Sequence, residues 1–177
     1  IANRGSGIRL RDHARVTVGG TDPDAANVIA FNQDHGVSNE AFSSVRTPAL
    51  EGQAILGNSI HGNLRLGIAL AGGNLPNDGP GPDDGRFGRA GGFSDGFMHN
   101  PQNHPVLGSA HSAGGQTTIS GYLETRPNET FRIEFFGNAG TGPAKFAQGE
   151  TFLGFTTVTT GPDGHAQFTA TLPLVVP

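Results

Sequence analysis

The chain has no cysteine, few charged residues and no long hydrophobic run. None of its 177 residues is Cys, which excludes disulfide bonds and thiol chemistry and is compatible with either the cytosol or an exported protein. Charged residues make up 15%, and the 11 Lys and Arg are scattered, so no basic stripe predicts binding to nucleic acid. No stretch of about 18 apolar residues predicts a membrane-spanning helix.

The start of the chain carries no secretory signal. The sequence opens on Ile1, inside a repeat and without an initiator Met. We therefore expect it to be part of a longer or processed polypeptide, and the compartment has to be predicted from other features.

Glycine and proline are abundant instead. The chain has 29 Gly and 12 Pro, and only 34% of its residues are hydrophobic, a composition that disfavours helices. The 12 Phe fall in runs that alternate with polar residues, which favours short strands and tight turns over disorder. The composition thus predicts an all-β protein.

One sequence frame, Asn-x-Ile-x-x-Asn-x-x-x-Gly followed by Val or Ile, occurs twice in the first half. It runs from Asn27 to Val37 and, 31 residues later, from Asn58 to Ile68. A clipped copy of its second half begins at Asn3, 29 residues before the matching Asn of the first full copy. Internal repeats of this period indicate a solenoid.

The frame predicts a parallel β-helix, because its short apolar segments complete their hydrogen bonds only when successive coils stack. We expect the repeated Asn to form ladders at the corners and the repeated Gly to adopt positive φ at the turn. Leucine-rich repeats are the competing interpretation, but their Leu-x-x-Leu-x-Leu frame is missing. Asn58 to Ile68 is expected to be the last full coil.

Longer alternating strands follow in the second half and predict an antiparallel β-sandwich. In one of them Phe131, Ile133 and Phe135 are expected to point inward and Arg132 and Glu134 outward. Four such strands are few for a sandwich. We therefore expect that one or more strands are missing from this sequence or are supplied by a neighbouring molecule.

Two groups of segments are similar to sequences of a known protein family. The first group, in the first half of the chain, consists of Val18–Thr21, Ala26–Ile29, Ile55–Ile60 and Leu66–Leu70. The second group, in the second half, consists of Gln102–Leu107, Gly115–Leu123, Phe131–Asn138 and Gly149–Gly154. The first group resembles the coils of bacterial right-handed parallel β-helix repeat proteins, which are secreted or displayed at the cell surface. The second group is similar to the small β-sandwich that follows the last coil in many of them. The resemblance implies fold and export, and it transfers no catalytic residue. The spacer from residue 74 to 100 is longer than this family leads us to expect.

Three parts are therefore predicted: the end of a right-handed parallel β-helix over residues 1–73, a spacer rich in Gly, Pro and Asp over residues 74–105, and a small antiparallel, Ig-like β-sandwich, incomplete in this chain, over residues 106–177. The hypothesis for function is a non-catalytic structural or adhesive module, extracellular or at the cell surface, with assembly into a filament by strand sharing. A carbohydrate-active enzyme or a carbohydrate-binding module of the β-helix type is the alternative. The expected partners are further copies of the chain, a cell-surface partner or a polysaccharide.

The spacer holds the candidate binding residues. Asp78, Asp83 and Asp84 lie among Gly and Pro turns whose exposed carbonyls, with the carboxylates, are ligands that Ca²⁺ prefers; a solvated turn explains the same residues. Ca²⁺ is the one cofactor considered. Three aromatic residues of the spacer are the candidate contacts for a ligand or partner: Phe87, Phe93 and Phe97. Their side chains are either docked against the protein or free to stack on a ligand.

No catalytic residue is assigned. The outward positions of the frame bring His35, His61 and Arg65 near Asp34, the only acid close to them. A site for polysaccharide cleavage needs several carboxylates on adjacent coils, so solvent-facing corner residues are the competing interpretation. The seven His residues lack the spacings of a zinc site.

Overall fold

We describe a computed structural model of the chain over residues 3–11, 15–40, 53–69, 103–141 and 145–173. These residues form strands and one short 3-10 helix, so the all-β class is confirmed. No helix within the described ranges is long and apolar enough to cross a membrane. The chain divides into two compact units, the first made of Ile1–Leu75 and Phe136–Phe152, the second of Pro76–Phe135 and Leu153–Pro177.

The first unit contains three parallel sheets, which the chain visits in a fixed order. Their strands are β1 (Ile8–Arg11), β2 (Thr17–Gly19), β3 (Val28–Ala30), β4 (Val37–Glu40), β5 (Ala54–Leu56), β6 (Ser59–His61) and β7 (Ile68–Ala69). The sheets have the strand orders β1-β4-β7, β2-β5 and β3-β6. We term one visit of the chain to all three sheets a pass. Each strand from β4 onward therefore lies beside the strand that has the same place in the previous pass.

The strand pairing follows the sequence repeat. Val28 lies opposite Ser59, so that the two copies of the repeated frame are aligned in the sheet. The spacing between β2 and β5 is longer, because the first pass has a loop with the 3-10 helix Pro23–Ala25 after β2, whereas only Gly57 and Asn58 join β5 to β6. This loop leaves the pairing of the two copies of the frame intact.

Aliphatic side chains form the core of the first unit. The buried members are contributed by strands of all three sheets: Leu10, Val18, Ile29, Val37 and Ile60. Burying each of them contributes roughly 1.5–3 kcal/mol. A strand of three residues thus adds a single apolar side chain to the core. Stacking of successive passes brings these side chains together into one core.

The repeated glycines do not have the role that we expected. Neither Gly36 nor Gly67 has a positive φ, so the prediction of a left-handed turn at these positions is wrong. A Cβ at Gly36 would instead lie 2.6 Å from the carbonyl oxygen of Gly67 and 2.7 Å from Cγ2 of Ile60. The frame requires Gly because the next pass comes too close for a side chain.

The second unit contains antiparallel strands, as the alternating pattern predicted. β8 (Val106–Ala113), β9 (Gln116–Glu124) and β12 (His165–Leu172) form a sheet with the order β12-β9-β8. β10 (Thr130–Gly137) pairs with β11 (Thr151–Thr159), and the ends of these two strands, Phe136–Gly137 and Thr151–Phe152, belong to the first unit.

Side chains from both sheets form one core in the second unit. Phe131, Ile133 and Phe135 are buried, as predicted, with residues of β9, β11 and β12. Arg132 and Glu134 point away from this core, as predicted, and form an ion pair of 2.8 Å. The alternation of β10 was therefore sufficient to predict which face is buried.

Candidate functional site

The candidate binding residues in the spacer lie outside the described residues. This applies to the acidic residues proposed for Ca²⁺, Asp78, Asp83 and Asp84, and to the aromatic residues Phe87, Phe93 and Phe97. Both assignments stay predictions. Elsewhere, within the ranges that the structure describes, no group of three His, Cys, Asp or Glu side chains could hold a metal ion.

The frame residues considered for catalysis come together around Asp34. Its carboxylate accepts a hydrogen bond from Ser6 Oγ at 3.2 Å and lies 3.4 Å from Arg65 Nε and 3.6 Å from His35 Nε2. His35 Nδ1 accepts the backbone N–H of Leu66 at 3.1 Å. A Ser, an Asp and a His are therefore neighbours on adjacent passes.

This arrangement is not that of an activated serine. A nucleophile has to donate its proton to the base, whereas Ser6 donates to the carboxylate of Asp34 and not to the imidazole. The imidazole nitrogen that faces the next pass is already occupied by the N–H of Leu66. The cluster connects three neighbouring segments of the repeat, and each polar group in it has a structural partner.

His61, the other histidine of the frame, lies beside an exposed aromatic ring. Phe31 packs edge-on against the imidazole, with ring centroids 5.2 Å apart, and is 64% exposed. Its φ is +58°, a left-handed value that is uncommon for a bulky residue. Gly62 has the same conformation at the equivalent position one pass later. That equivalence is the sequence signal that could have identified Phe31, which our sequence reasoning missed.

Two asparagine ladders run along the corners of the first unit, as predicted. Asn58 Oδ1 accepts the N–H and the side-chain amide of Asn27, at 3.0 and 2.9 Å. Asn63 Oδ1 accepts the same two groups of Asn32, at 3.1 and 2.8 Å. The repeated Asn residues thus satisfy backbone groups that the turn leaves without strand partners.

Gln148, which is far away in the sequence, extends the second ladder. Its Oε1 accepts both the N–H and the side-chain amide of Asn63, each at 3.0 Å. Its Nε2 donates to the carbonyls of Asn63 and Arg65, at 2.9 and 2.6 Å. The neighbouring backbone joins β6, because Gly149 accepts the N–H of Ile60 at 2.8 Å. No sequence pattern indicated this contact, since residue 148 is not part of the repeat.

The side-chain carbonyl of Asn138 holds the backbone around Gln148 in place. Asn138 Oδ1 accepts the N–H groups of Gln148, Gly149 and Glu150, at 3.1, 2.9 and 3.2 Å. Glu150 Oε2 accepts the N–H of Ala139 at 3.0 Å, and Glu150 O accepts Ser59 Oγ at 2.6 Å. Hydrogen bonds within this segment therefore hold its backbone, in addition to its contact with Ser59 of β6.

Among the described residues, the second unit has two exposed aromatic side chains with polar neighbours: Phe155, whose ring centroid lies 3.5 Å from the Arg132 guanidinium carbon, and Tyr122. Tyr122 stacks on His165, with centroids 5.7 Å apart, and His165 Nδ1 lies 3.5 Å from Glu124 Oε1. The outer face of the same sheet also presents exposed polar residues such as Gln167 and Thr169. Such a face can offer hydrogen bonds and one stacking surface to a polar ligand.

Two comparisons of the sequence with known proteins identify no relative. No family model matches the chain, and the search of curated proteins found no similar sequence. The function therefore has to be inferred from the residues and their geometry.

Proposed function

We propose that the chain is a non-catalytic structural or adhesive module of an extracellular or cell-surface protein. In this proposal the three parallel sheets are the faces of the end of a right-handed parallel β-helix, and the second unit is a small Ig-like β-sandwich, as in the bacterial proteins that the sequence resembles. One observation carries the proposal. The polar side chains that would have to catalyse a reaction, Ser6, Asp34 and His35, are bonded to the backbone and side chains of neighbouring passes.

Turnover of a polysaccharide tests the non-catalytic part of the proposal. The purified chain is incubated with acidic and neutral polysaccharides, with and without added Ca²⁺, and new reducing ends and unsaturated products are measured. We expect no product above that of a boiled sample. Any enzyme-dependent cleavage contradicts the proposal and supports a carbohydrate-active enzyme.

Assembly by strand sharing is supported by the edge strand β8. Among the described strands, β8 pairs only with β9, and its residues 107–111 are exposed on both faces. An edge strand of this kind is a template for a strand from another molecule. We propose that copies of the chain associate through this edge. A filament forms where β8 pairs with a different surface of the next copy, because pairing of β8 with β8 closes a dimer.

Light scattering tests this mode of assembly. We expect the purified chain to associate as its concentration rises, and Leu107→Lys to weaken association because Lys on an exposed edge opposes strand pairing. Thr118→Lys, at an exposed position of the central strand β9, adds the same charge on a strand that is paired on both sides and should leave association unchanged. A strictly monomeric chain, or equal effects of the two variants, contradicts assembly through β8.

Carbohydrate binding is a second candidate, which the exposed rings of Phe31 and Tyr122 favour. Aromatic faces stack on sugar rings through apolar C–H groups, and both rings have polar neighbours. Sedimentation with insoluble neutral polysaccharides measures binding. If the chain binds, Phe31→Ala or Tyr122→Ala should reduce the bound fraction, and retention of full binding by both variants excludes these rings as the site.

A further inference from the structure

The end of the parallel stack in the first unit is covered by a segment that is remote in sequence. Among the described strands, β6 is the last of the β3-β6 sheet, and the turn over residues 62–67 follows it. We term β6 and this turn the final edge. In a stack of identical repeats the final edge would have backbone groups without partners, and an exposed edge of that kind binds other chains. Residues 148–150 lie against it instead.

The side chain of Gln148 makes the contacts that a further Asn of the repeat would make. One pass earlier, Asn63 Oδ1 accepts the N–H and the side-chain amide of Asn32. At the final edge, Gln148 Oε1 accepts the same two groups of Asn63. The acceptor role of the ladder is therefore reproduced by a residue that does not belong to the repeat.

The amide nitrogen of Gln148 reproduces the donor role as well. One pass earlier, two backbone N–H groups donate to two carbonyls, Leu64 to Asn32 at 3.0 Å and Arg65 to Asp34 at 3.2 Å. The equivalent carbonyls at the final edge belong to Asn63 and Arg65, and both accept Gln148 Nε2. One carboxamide thus replaces both donors of an absent pass.

The backbone of Gln148 also occupies the place of the next pass. A Cβ at Gly36 would meet the carbonyl oxygen of Gly67 at 2.6 Å. A Cβ at Gly67 would meet the carbonyl oxygen of Gln148 at 2.8 Å and its Cβ at 3.0 Å. Gly67 therefore serves the contact with Gln148 as Gly36 serves the contact between passes.

We propose that residues 138–141 and 145–150 form a built-in end cap of the parallel stack, and that the final edge, when the cap is released, binds a second copy of this chain. A second copy fits because β6 already pairs, on the side away from the cap, with β3, which belongs to the repeated frame of the same chain. The proposal does not depend on the function proposed above, since a cap is equally necessary in an adhesin, a filament subunit or an enzyme. It predicts that strand sharing in the native protein avoids the final edge.

Two substitutions release the cap from opposite sides. Gly67→Ala adds a methyl group where the backbone of Gln148 lies, without changing the side chain of Gln148. Gln148→Glu keeps the shape and the acceptors but cannot donate to the carbonyls of Asn63 and Arg65. The matched controls are Gly140→Ala, where a Cβ meets nothing within 4 Å, and Gln167→Glu on the exposed face of β12.

Hydrogen exchange of the full chain, followed by NMR, measures release of the cap. The N–H groups of Ile60 and Asn63 donate to the cap and should exchange about 2- to 10-fold faster in both release variants, as expected for the loss of roughly one net hydrogen bond. The N–H groups of Ser59 and Leu64 donate to the previous pass and should keep their rates, which separates local release from unfolding.

Light scattering of the same samples measures binding of a second copy. We expect both release variants to associate more strongly than the native chain at equal concentration, while Gly140→Ala and Gln167→Glu behave as the native chain does. Unchanged exchange at Ile60 and Asn63 overturns the cap. Faster exchange at these two groups without stronger association overturns its role in excluding a second copy. Association through β8 is judged by comparing the native chain with Leu107→Lys, both of which keep the cap, so failure of one proposal leaves the other testable.

Discussion

Replacing Asn63 by Ala is expected to destabilise the first unit more than any conservative change on its surface. Asn63 has no exposed area, and its side chain accepts two hydrogen bonds from Asn32. The same side chain donates to the carbonyl of Ile29 at 3.1 Å and to Gln148 Oε1 at 3.0 Å. All these bonds disappear with the amide, and the methyl group of Ala replaces none of them.

The size of the effect follows from the groups that remain. The N–H and side-chain amide of Asn32 and the carbonyl of Ile29 lose a partner, and each buried polar group left without one costs about 1–3 kcal/mol. Relaxation and entry of water recover part of this sum, so we expect a loss of about 3–5 kcal/mol. That is a large share of the roughly 5–15 kcal/mol by which a domain is stable.

The assay has to report on the first unit. The chain has one Tyr and no Trp, and Tyr122 lies in the second unit, so intrinsic fluorescence does not serve. Hydrogen exchange of slowly exchanging amides in β3 and β4, measured in increasing urea, gives the free energy of unfolding of this unit. Gln33→Ala changes an exposed side chain next to the ladder and is the control. If Asn63→Ala lies within about 0.5 kcal/mol of this control, which is the usual range of a surface substitution, the ladder argument is refuted.

Two further predictions concern single hydroxyl groups. Ser38 is 2% exposed, and its Oγ has no hydrogen-bond partner among the described residues. Because Ala69 already occupies the paired position of β7, Ser38→Ala should be neutral or stabilising by up to about 1 kcal/mol in the same exchange assay. A clear loss of stability contradicts this prediction. In the second unit, Thr160 Oγ1 donates to the carbonyl of Arg126 at 2.6 Å and accepts the N–H of Glu129 at 3.2 Å, so Thr160→Val should cost about 1–3 kcal/mol in urea unfolding followed by Tyr122 fluorescence. The control is Thr157→Val, at an exposed position of β11. A midpoint that is unchanged relative to this control would show that the bonds of Thr160 form equally well to water.

The strands and their buried faces could be predicted because they depend on local patterns. The repeat of Asn27 and Asn58 predicted which residues align between passes, since equivalent positions of a solenoid stack. The alternation from Phe131 to Phe135 predicted the buried face of β10, because side chains alternate across a strand. These properties need no knowledge of distant partners.

The role of the repeated glycines shows where local reasoning failed. Gly at a turn suggests a positive φ, but Gly36 and Gly67 are required by the close approach of another part of the chain. The positive φ belongs to Phe31 and Gly62, and a Phe does not suggest a left-handed conformation. The backbone angle and the space for a Cβ are separate constraints, and the sequence shows only that a Gly is present.

The candidate site depended still more on tertiary structure. The frame predicted that Asp34, His35 and Arg65 would be near one another, but the direction of each hydrogen bond decides between a catalytic and a structural cluster. The candidate residues of the spacer, which include Asp78 and Phe87, remain predictions from the sequence. Their chemistry was inferred from composition, and composition does not specify which groups converge.

The sequence by itself determined that this protein is all-β, that its first half repeats, and that the copies of the frame align, because the spacing of Asn, Ile and Gly is preserved from one copy to the next. Only the tertiary structure decided how the stack ends. Gln148 lies outside every repeat and 85 residues from Asn63, and its carboxamide meets the final edge because the fold brings the two together. A hydrogen bond between distant residues has no periodic signal in the sequence, since its geometry exists only after the chain has folded.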